Sequence, residues 1–254
     1  MTNLESQSES LDPLYGLKQM ELLHSPNGEF NVAVSKGVGI GDQERIWSMI
    51  GDGFTDLNNR SYQRQSMNKD EFEIDMNSPN VLKYIAYNLD KEPVGFMTIH
   101  TGLDDITWIN HEELIRRQDE IDPNAESYYI GTLVVPVDLR SKEIAPTLLR
   151  AGILHWQKVN IESNRRSLCY FDCAEANYPG LPGFVERIAR PSRDFEGVKF
   201  EIQEIVRDYW IKNLSTGNTE HYSYVMSDSP NLPEDSSEFK IIDKQHFFTL
   251  VPQY

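Results

Sequence analysis

Leu133-Val134-Val135-Pro136-Val137-Asp138-Leu139-Arg140-Ser141-Lys142-Glu143-Ile144-Ala145 is the stretch on which the reading of this chain turns. Its first part ends a continuous apolar run over residues 128–135, bounded by Asn124 and Pro136, which predicts a strand covered on both faces and central in its sheet. Its second part is a turn carrying two cations, Arg140 and Lys142, at the start of a helix. From residue 143 to about 159, Ile144, Leu148, Leu149, Ile153, Leu154 and Trp156 recur at helical spacing. Pro146 fits only if that helix starts near Glu143, where the missing N–H belongs to the unpaired first turn. Such a turn can offer free amides and positive charge to an anion. A generic strand-to-helix turn with two basic residues reads the same way.

Working outward, Phe30, Val32, Val34 and Val38 predict a strand, and Asp42 a cap for a helix holding Ile46, Trp47, Met49, Ile50 and Phe54. A short helix is expected over 70–76, stopped by Pro79. Residues 81–89 and 94–99 flank Asp90-Lys91-Glu92-Pro93, which has turn chemistry, and so predict a β-hairpin. Residues 108–121, with Trp108, Ile109, Leu114 and Ile115 among many charges, read as a helix closed by Asp122-Pro123.

Downstream, 167–173 is a short buried strand and 181–189 a short helix closed by Pro191. Strand, crossover helix, strand builds a parallel pair. Residues 199–211 and 219–226, joined by Ser215-Thr216-Gly217-Asn218, predict a closing hairpin. The segments 239–242 and 246–251 predict an added edge pair. The expected organisation is a disordered tail over 1–12, one domain over 13–229, and a C-terminal extension over 230–254.

A chain of 254 residues with 39% hydrophobic content can bury a real core, and its net charge of −16 opposes binding to a phosphate backbone. The same charge leans toward a cationic or neutral small partner. No apolar window approaches the roughly 20 residues that cross a bilayer. A soluble, cytoplasmic protein without membrane or nucleic-acid partners, monomeric or homodimeric, is expected. Cys169 and Cys173, four apart on one strand, would lie about 13 Å apart, too far for a disulfide. They also fall short of a zinc set, so both are expected in the core and no metal site is expected.

The order of elements, and above all the segment from Leu133 to Ala145, resembles the GNAT superfamily of acyl-CoA-dependent N-acetyltransferases. The family signature there is an apolar strand ending in valine, a turn, then Arg or Gln, two free positions, Gly, one free position, and Gly or Ala. Arg140 and Ala145 match; Glu143 stands in the place of the middle glycine. The resemblance implies an α/β (α+β) fold with a mixed, mostly antiparallel sheet, a central parallel pair and flanking helices. It implies acetyl-CoA as co-substrate, its diphosphate held by Arg140, Ser141, Lys142, Glu143, Ile144 and Ala145. The pantetheine arm would pair with the backbone of Leu133, Val134 and Val135 in a V-shaped gap at the strand's end. Were the resemblance accidental, no such gap would follow that strand.

The family's pantetheine-contacting asparagine falls on Asn177, and its frequent thiolate-protonating tyrosine on Phe184, which cannot donate a proton. A turn residue and a core aromatic are equally fair readings of these two. The position the family often gives to a glutamate base holds Tyr129. His100, Glu175, Asp172 and Glu126 are the other groups that could face the acceptor. The implied reaction is direct transfer of acetyl to a primary amine of a small molecule or peptide. The alternative is a noncatalytic module that binds acyl-CoA or a partner protein.

Overall fold

The computed structural model describes residues 23–24, 28–35, 37–104, 106, 109, 111–140, 142–163, 167–190, 199–228 and 231–253. The expected tail over 1–12, Trp108 and Ser141 lie outside the described residues. In chain order the elements are β1 (Leu23–His24), β2 (Phe30–Ser35), α1 (Ile40–Arg60), α2 (Lys69–Asn77), β3 (Val81–Asn88), β4 (Pro93–Thr101), α3 (His111–Ile121) and β5 (Glu126–Val134). They continue with α4 (Ile144–Ser163), β6 (Ser167–Ala174), α5 (Gly180–Ala189), β7 (Phe200–Asn213), β8 (Thr219–Val225) and β9 (Phe239–Pro252).

The strands form a single sheet in the order β1-β2-β3-β4-β5-β6-β9-β7-β8. Every neighbouring pair is antiparallel except β5 and β6, which α4 joins as the crossover helix. This is the mixed, mostly antiparallel sheet with a central parallel pair that was expected. One face packs on α4 and α5 through Met97, Ile99, Leu148, Ile153 and Phe171. The other is covered in two patches, by α1 and α2 over Ile85, Phe96 and Val134, and by α3 over Tyr129, Tyr170 and Phe247. Between these patches lies the polar surface that forms the site. Cys169 and Cys173 are buried and unbridged. No helix among the described residues is long and apolar enough to cross a membrane.

Two elements differ from expectation. Asp42 does not cap α1: the helix begins at Ile40 after Gly39, and Asp42 sits in its first turn, accepting a hydrogen bond from Tyr87 Oη at 2.8 Å. The larger correction concerns the C-terminus, which forms no edge pair. β9 is a single strand of 14 residues inside the sheet, between β6 and β7. The polar residues at which hydropathy divides it are satisfied from other elements. The amides of Tyr62 and Gln63 donate to Asp243 Oδ2 at 2.5 and 3.3 Å. His246 lies between Glu175 and Glu204, at 2.6 and 2.7 Å. Buried polar side chains are tolerated when they are hydrogen-bonded, and a reading by hydropathy alone breaks the strand where they occur.

Candidate functional site

The parallel pairing of β5 with β6 runs only from Glu126 opposite Ser167 to Ile130 opposite Phe171. Beyond that point β6 continues against β9, with Asp172 opposite Phe247 and Ala174 opposite Gln245. β5 stays with β4, Leu133 opposite Met97 and Val134 opposite Phe96. The two strands therefore part in a V, leaving the β6-facing side of residues 131–134 without a strand partner among the described residues.

A bulge explains the parting. Met97 pairs with Leu133 and Ile99 with Ile130, so Gly131 and Thr132 of β5 face the single residue Thr98. An extra residue of this kind bends its strand. Thr98 Oγ1 accepts the displaced Thr132 amide at 3.0 Å. Gly131 is required by space: a Cβ there would lie 2.7 Å from Thr98 Oγ1 and 3.0 Å from His100 Nε2.

At the end of β5 the side chains of Val134 and Val135 are buried in separate cores, so only their backbone can meet a ligand. A 3₁₀ turn over Val137–Leu139 leads to Arg140, which is exposed and donates from Nη2 to the Gly53 carbonyl of α1 at 3.0 Å. Lys142 and Glu143 are also exposed, Ile144 is buried and Ala145 half-buried.

Glu143 has φ 60°, the left-handed conformation that glycine adopts freely and other residues adopt at a cost. The glycine of the family signature is thus replaced in side chain while its backbone conformation is retained. The first bond of α4 runs from the Thr147 amide to the Glu143 carbonyl at 3.0 Å. The amides of Ile144 and Ala145 belong to the unpaired first turn, at the positive end of the helix. Pro146 occupies the third position, where it has no N–H to lose.

A cleft of about 460 Å³ occupies the V. Toward α4 and α5 it is lined by Leu133, Cys173, Asn177 and Leu181; toward α1 and α2 by Asp172, Gln245, Asp208, Trp210 and His221. The second group forms a polar floor across four strands. Asp172 accepts hydrogen bonds from Tyr129 Oη and Gln245 Nε2, and Gln245 Oε1 accepts from Gln65 Nε2 at 3.3 Å. Burial raises the Asp172 carboxyl pKa above the usual carboxylate range, against the pull of those two hydrogen bonds. Asp208 accepts from Ser223 Oγ at 2.6 Å and lies 3.1 Å from His221 Nε2, and burial raises its pKa too. The His221 ring stacks on Trp210 at 4.7 Å.

The candidate residues separate accordingly. Tyr129 is fully buried and donates its hydroxyl to Asp172, which lines the cleft. His100 is buried behind Gly131, 3.4 Å from Asp75 and edge-on to Tyr129, and does not line the cleft. Glu175 also lies outside the main cleft, bonded to His246 and Lys244 at 2.6 and 3.2 Å. Its burial would raise its pKa, but those partners outweigh it and hold the carboxyl below its ordinary range. Glu126 sits at the opposite end of β5 from the V. Asn177 lines the cleft; Phe184 packs against the core with the Arg187 guanidinium over its ring at 5.8 Å. Gln245, Asp208, Trp210 and His221 were not foreseen. Asp208 and Trp210 alternate in sequence, as do Asp243 and Gln245, but nothing in that alternation says which strands they neighbour.

No protein-family model matches the chain, and no curated protein matches it in sequence. Among solved structures it is similar to Arabidopsis thaliana NAA60 in complex with a bisubstrate analogue, at 16% identity and a TM-score of 0.45, covering 86% of this chain and 96% of that one. It is similar to Arabidopsis thaliana Naa50 in complex with the bisubstrate analogue CoA-Ac-MVNAL, at 14% identity and a TM-score of 0.42, covering 86% and 97%. A third is the aminoglycoside acetyltransferase meta-AAC0020 from an uncultured soil metagenomic sample, in complex with sisomicin, at 12% identity and a TM-score of 0.41, covering 66% and 93%. These are distant likenesses, and what the site can do follows from its own residues.

Proposed function

We propose that this protein is a GNAT-type N-acetyltransferase that moves acetyl from acetyl-CoA to a primary amine by direct attack in a ternary complex. The observation that carries the reading is the V between β5 and β6, opening beside the first turn of α4. An extended amide-bearing arm can complete the free edge of β5 as an added strand would. The diphosphate would then meet the amides of Ile144 and Ala145 and the cations Arg140 and Lys142. Asn177 and Leu181 line the same end of the cleft.

The acceptor would enter from the opposite side, over the polar floor. Asp172 is the group best suited to draw in an ammonium and take its proton, because a buried carboxylate with a raised pKa is a stronger base than a solvated one. Tyr129 and Gln245 donate to Asp172 and hold it in position; they are not themselves bases. The freed amine nitrogen attacks the thioester carbonyl carbon, a C–N bond forms and the C–S bond breaks; the second proton lost from the nitrogen passes to the departing thiolate, directly or through solvent, so that coenzyme A leaves as thiol. Phe184 supplies no proton to it. In this reading the base is Asp172, rather than Tyr129, His100 or Glu175.

Thermal shift with acetyl-CoA and with free coenzyme A, followed by thiol release with a panel of amines, tests the reading. Binding together with amine-dependent thiol release is expected. Binding without release from any amine would leave the noncatalytic acyl-CoA-binding module in its place, and absence of binding would remove both the transferase and that module.

A further inference from the structure

The far end of the cleft holds a second carboxylate that the transfer step does not use. Asp208, on β7, is only 6% exposed yet lines the cleft, beside the stacked pair Trp210 and His221. We infer that Asp208 and the Trp210–His221 wall form a subsite for a second ammonium group, so that the acceptor is a flexible diamine or polyamine held at both ends. This rests on the transferase reading above, in which Asp172 receives the reacting amine.

The spacing follows from the strand registers. Asp172 is opposite Phe247, Phe247 is two residues from Gln245, and Gln245 is opposite Asp208. Two strand-to-strand steps and one two-residue step separate the carboxylate-bearing Cα atoms by about 12 Å. Ammonium groups seated on both would lie roughly 10 Å apart, given side chains that lean toward the cleft.

What lies between the two carboxylates suits a methylene chain. Gln245 already spends one N–H on Asp172 and one acceptor position on Gln65, which leaves it less to offer the acceptor. Phe247 and Trp210 supply apolar surface. At the distal end Asp208 already has Ser223 Oγ on Oδ1 and His221 Nε2 near Oδ2. His221 is about half exposed, with a side-chain exposure of 47%, and can yield its place beside Oδ2 to an incoming ammonium. An acceptor with one cation and an apolar tail would leave Asp208 covered by that tail with nothing gained, which disfavours it.

The probes are octylamine, diaminooctane and diaminobutane, compared by thiol release in the presence of acetyl-CoA and by thermal shift without it. A kcat/KM for diaminooctane at least 10-fold above both others is expected from the worth of one charge-assisted contact. Asp208→Asn should bring diaminooctane to within about 3-fold of octylamine. Should that variant fail to fold, the three probes on the unaltered protein still decide, since the subsite requires diaminooctane to exceed both octylamine and diaminobutane. Equal rates along the series with robust turnover would overturn the subsite and leave the transferase standing. Stabilisation by diaminooctane, but not octylamine, in a protein that turns over no amine would support the subsite and sink the transferase.

Discussion

The two ends of the cleft are made of different material. At the α4 end a run of consecutive residues, from the close of β5 through Arg140 to Ala145, supplies the strand edge, the amides and the cations, and what it offers is mainly backbone. At the acidic end the floor is assembled from side chains on β6, β9, β7 and β8, backed by Tyr129 of β5 and by Gln65 from the loop after α1, residues spread over more than a hundred positions of the chain. A backbone device tolerates side-chain change as long as the chain keeps its path, as Glu143 does in a left-handed conformation. A side-chain device has no such tolerance, so substitutions should hurt far more on the acidic floor than at the α4 turn.

Asp172→Asn carries the largest expected effect. It keeps the shape of the side chain and removes the base, so kcat/KM should fall by 10²- to 10⁴-fold, while affinity for acetyl-CoA, read by thermal shift, should hardly move. The pH profile gives a second check. A base must be unprotonated, so activity in the unaltered protein should fall as pH drops through the raised Asp172 pKa, and that limb should be absent from the residual activity of the variant. Retention of the limb would put the base elsewhere.

Stability should respond to pH with opposite signs at two neighbouring clusters. Asp172 and Asp208 have folded-state pKa values above those of the unfolded chain, so the fold favours their neutral forms, a contribution lost as pH rises through the folded values. Glu175 and Glu204 are depressed by His246 with Lys244 and Arg207, so their contribution is present above the ordinary carboxylate range and lost as pH falls.

Arg140→Glu is next, and it tests the α4 end through the one thing a backbone cannot supply. Replacing a cation beside a diphosphate by an anion should weaken acetyl-CoA by at least 10- to 100-fold, the worth of one charge-assisted contact. Isothermal titration would read it. Unchanged binding would mean that the diphosphate lies away from this turn. Glu143→Gly should act in the opposite direction: glycine relieves the left-handed backbone at φ 60° and removes a carboxylate from the same turn. A gain of roughly 1 kcal/mol in stability and a few-fold tighter acetyl-CoA binding are expected.

What was readable beforehand divides along the same line. The hairpin of β3 and β4, the crossover from β5 through α4 to β6, and the late start of α4 at Pro146 are local patterns, in which a few adjacent residues set the conformation. β9 was misread because its Asp243, Gln245 and His246 look like a break until the partners from the loop after α1, from β7 and from the turn after β6 are known. Asp208, Trp210 and His221 escaped notice for the same reason. Strand order decides which of them become neighbours, and strand order is a property of the whole sheet. Tyr129 stands where the family often has a glutamate base, and its hydrogen bond to Asp172 is what ties it to the site.

Phe184→Tyr carries the smallest expected effect and tests the comparison from its weak side. If the chain used the family's tyrosine chemistry at this position, restoring the phenol should raise turnover. Here the ring does not line the cleft but packs against the core formed with α4, under the Arg187 guanidinium. A hydroxyl added there has no departing thiolate within view. Turnover should therefore stay within about twofold, the range of substitutions that touch no functional group. A tenfold rise in kcat at unchanged acetyl-CoA affinity would show that the thiolate leaves beside residue 184 after all, and the path of the pantetheine arm would have to be extended from Asn177 and Leu181 further along α5.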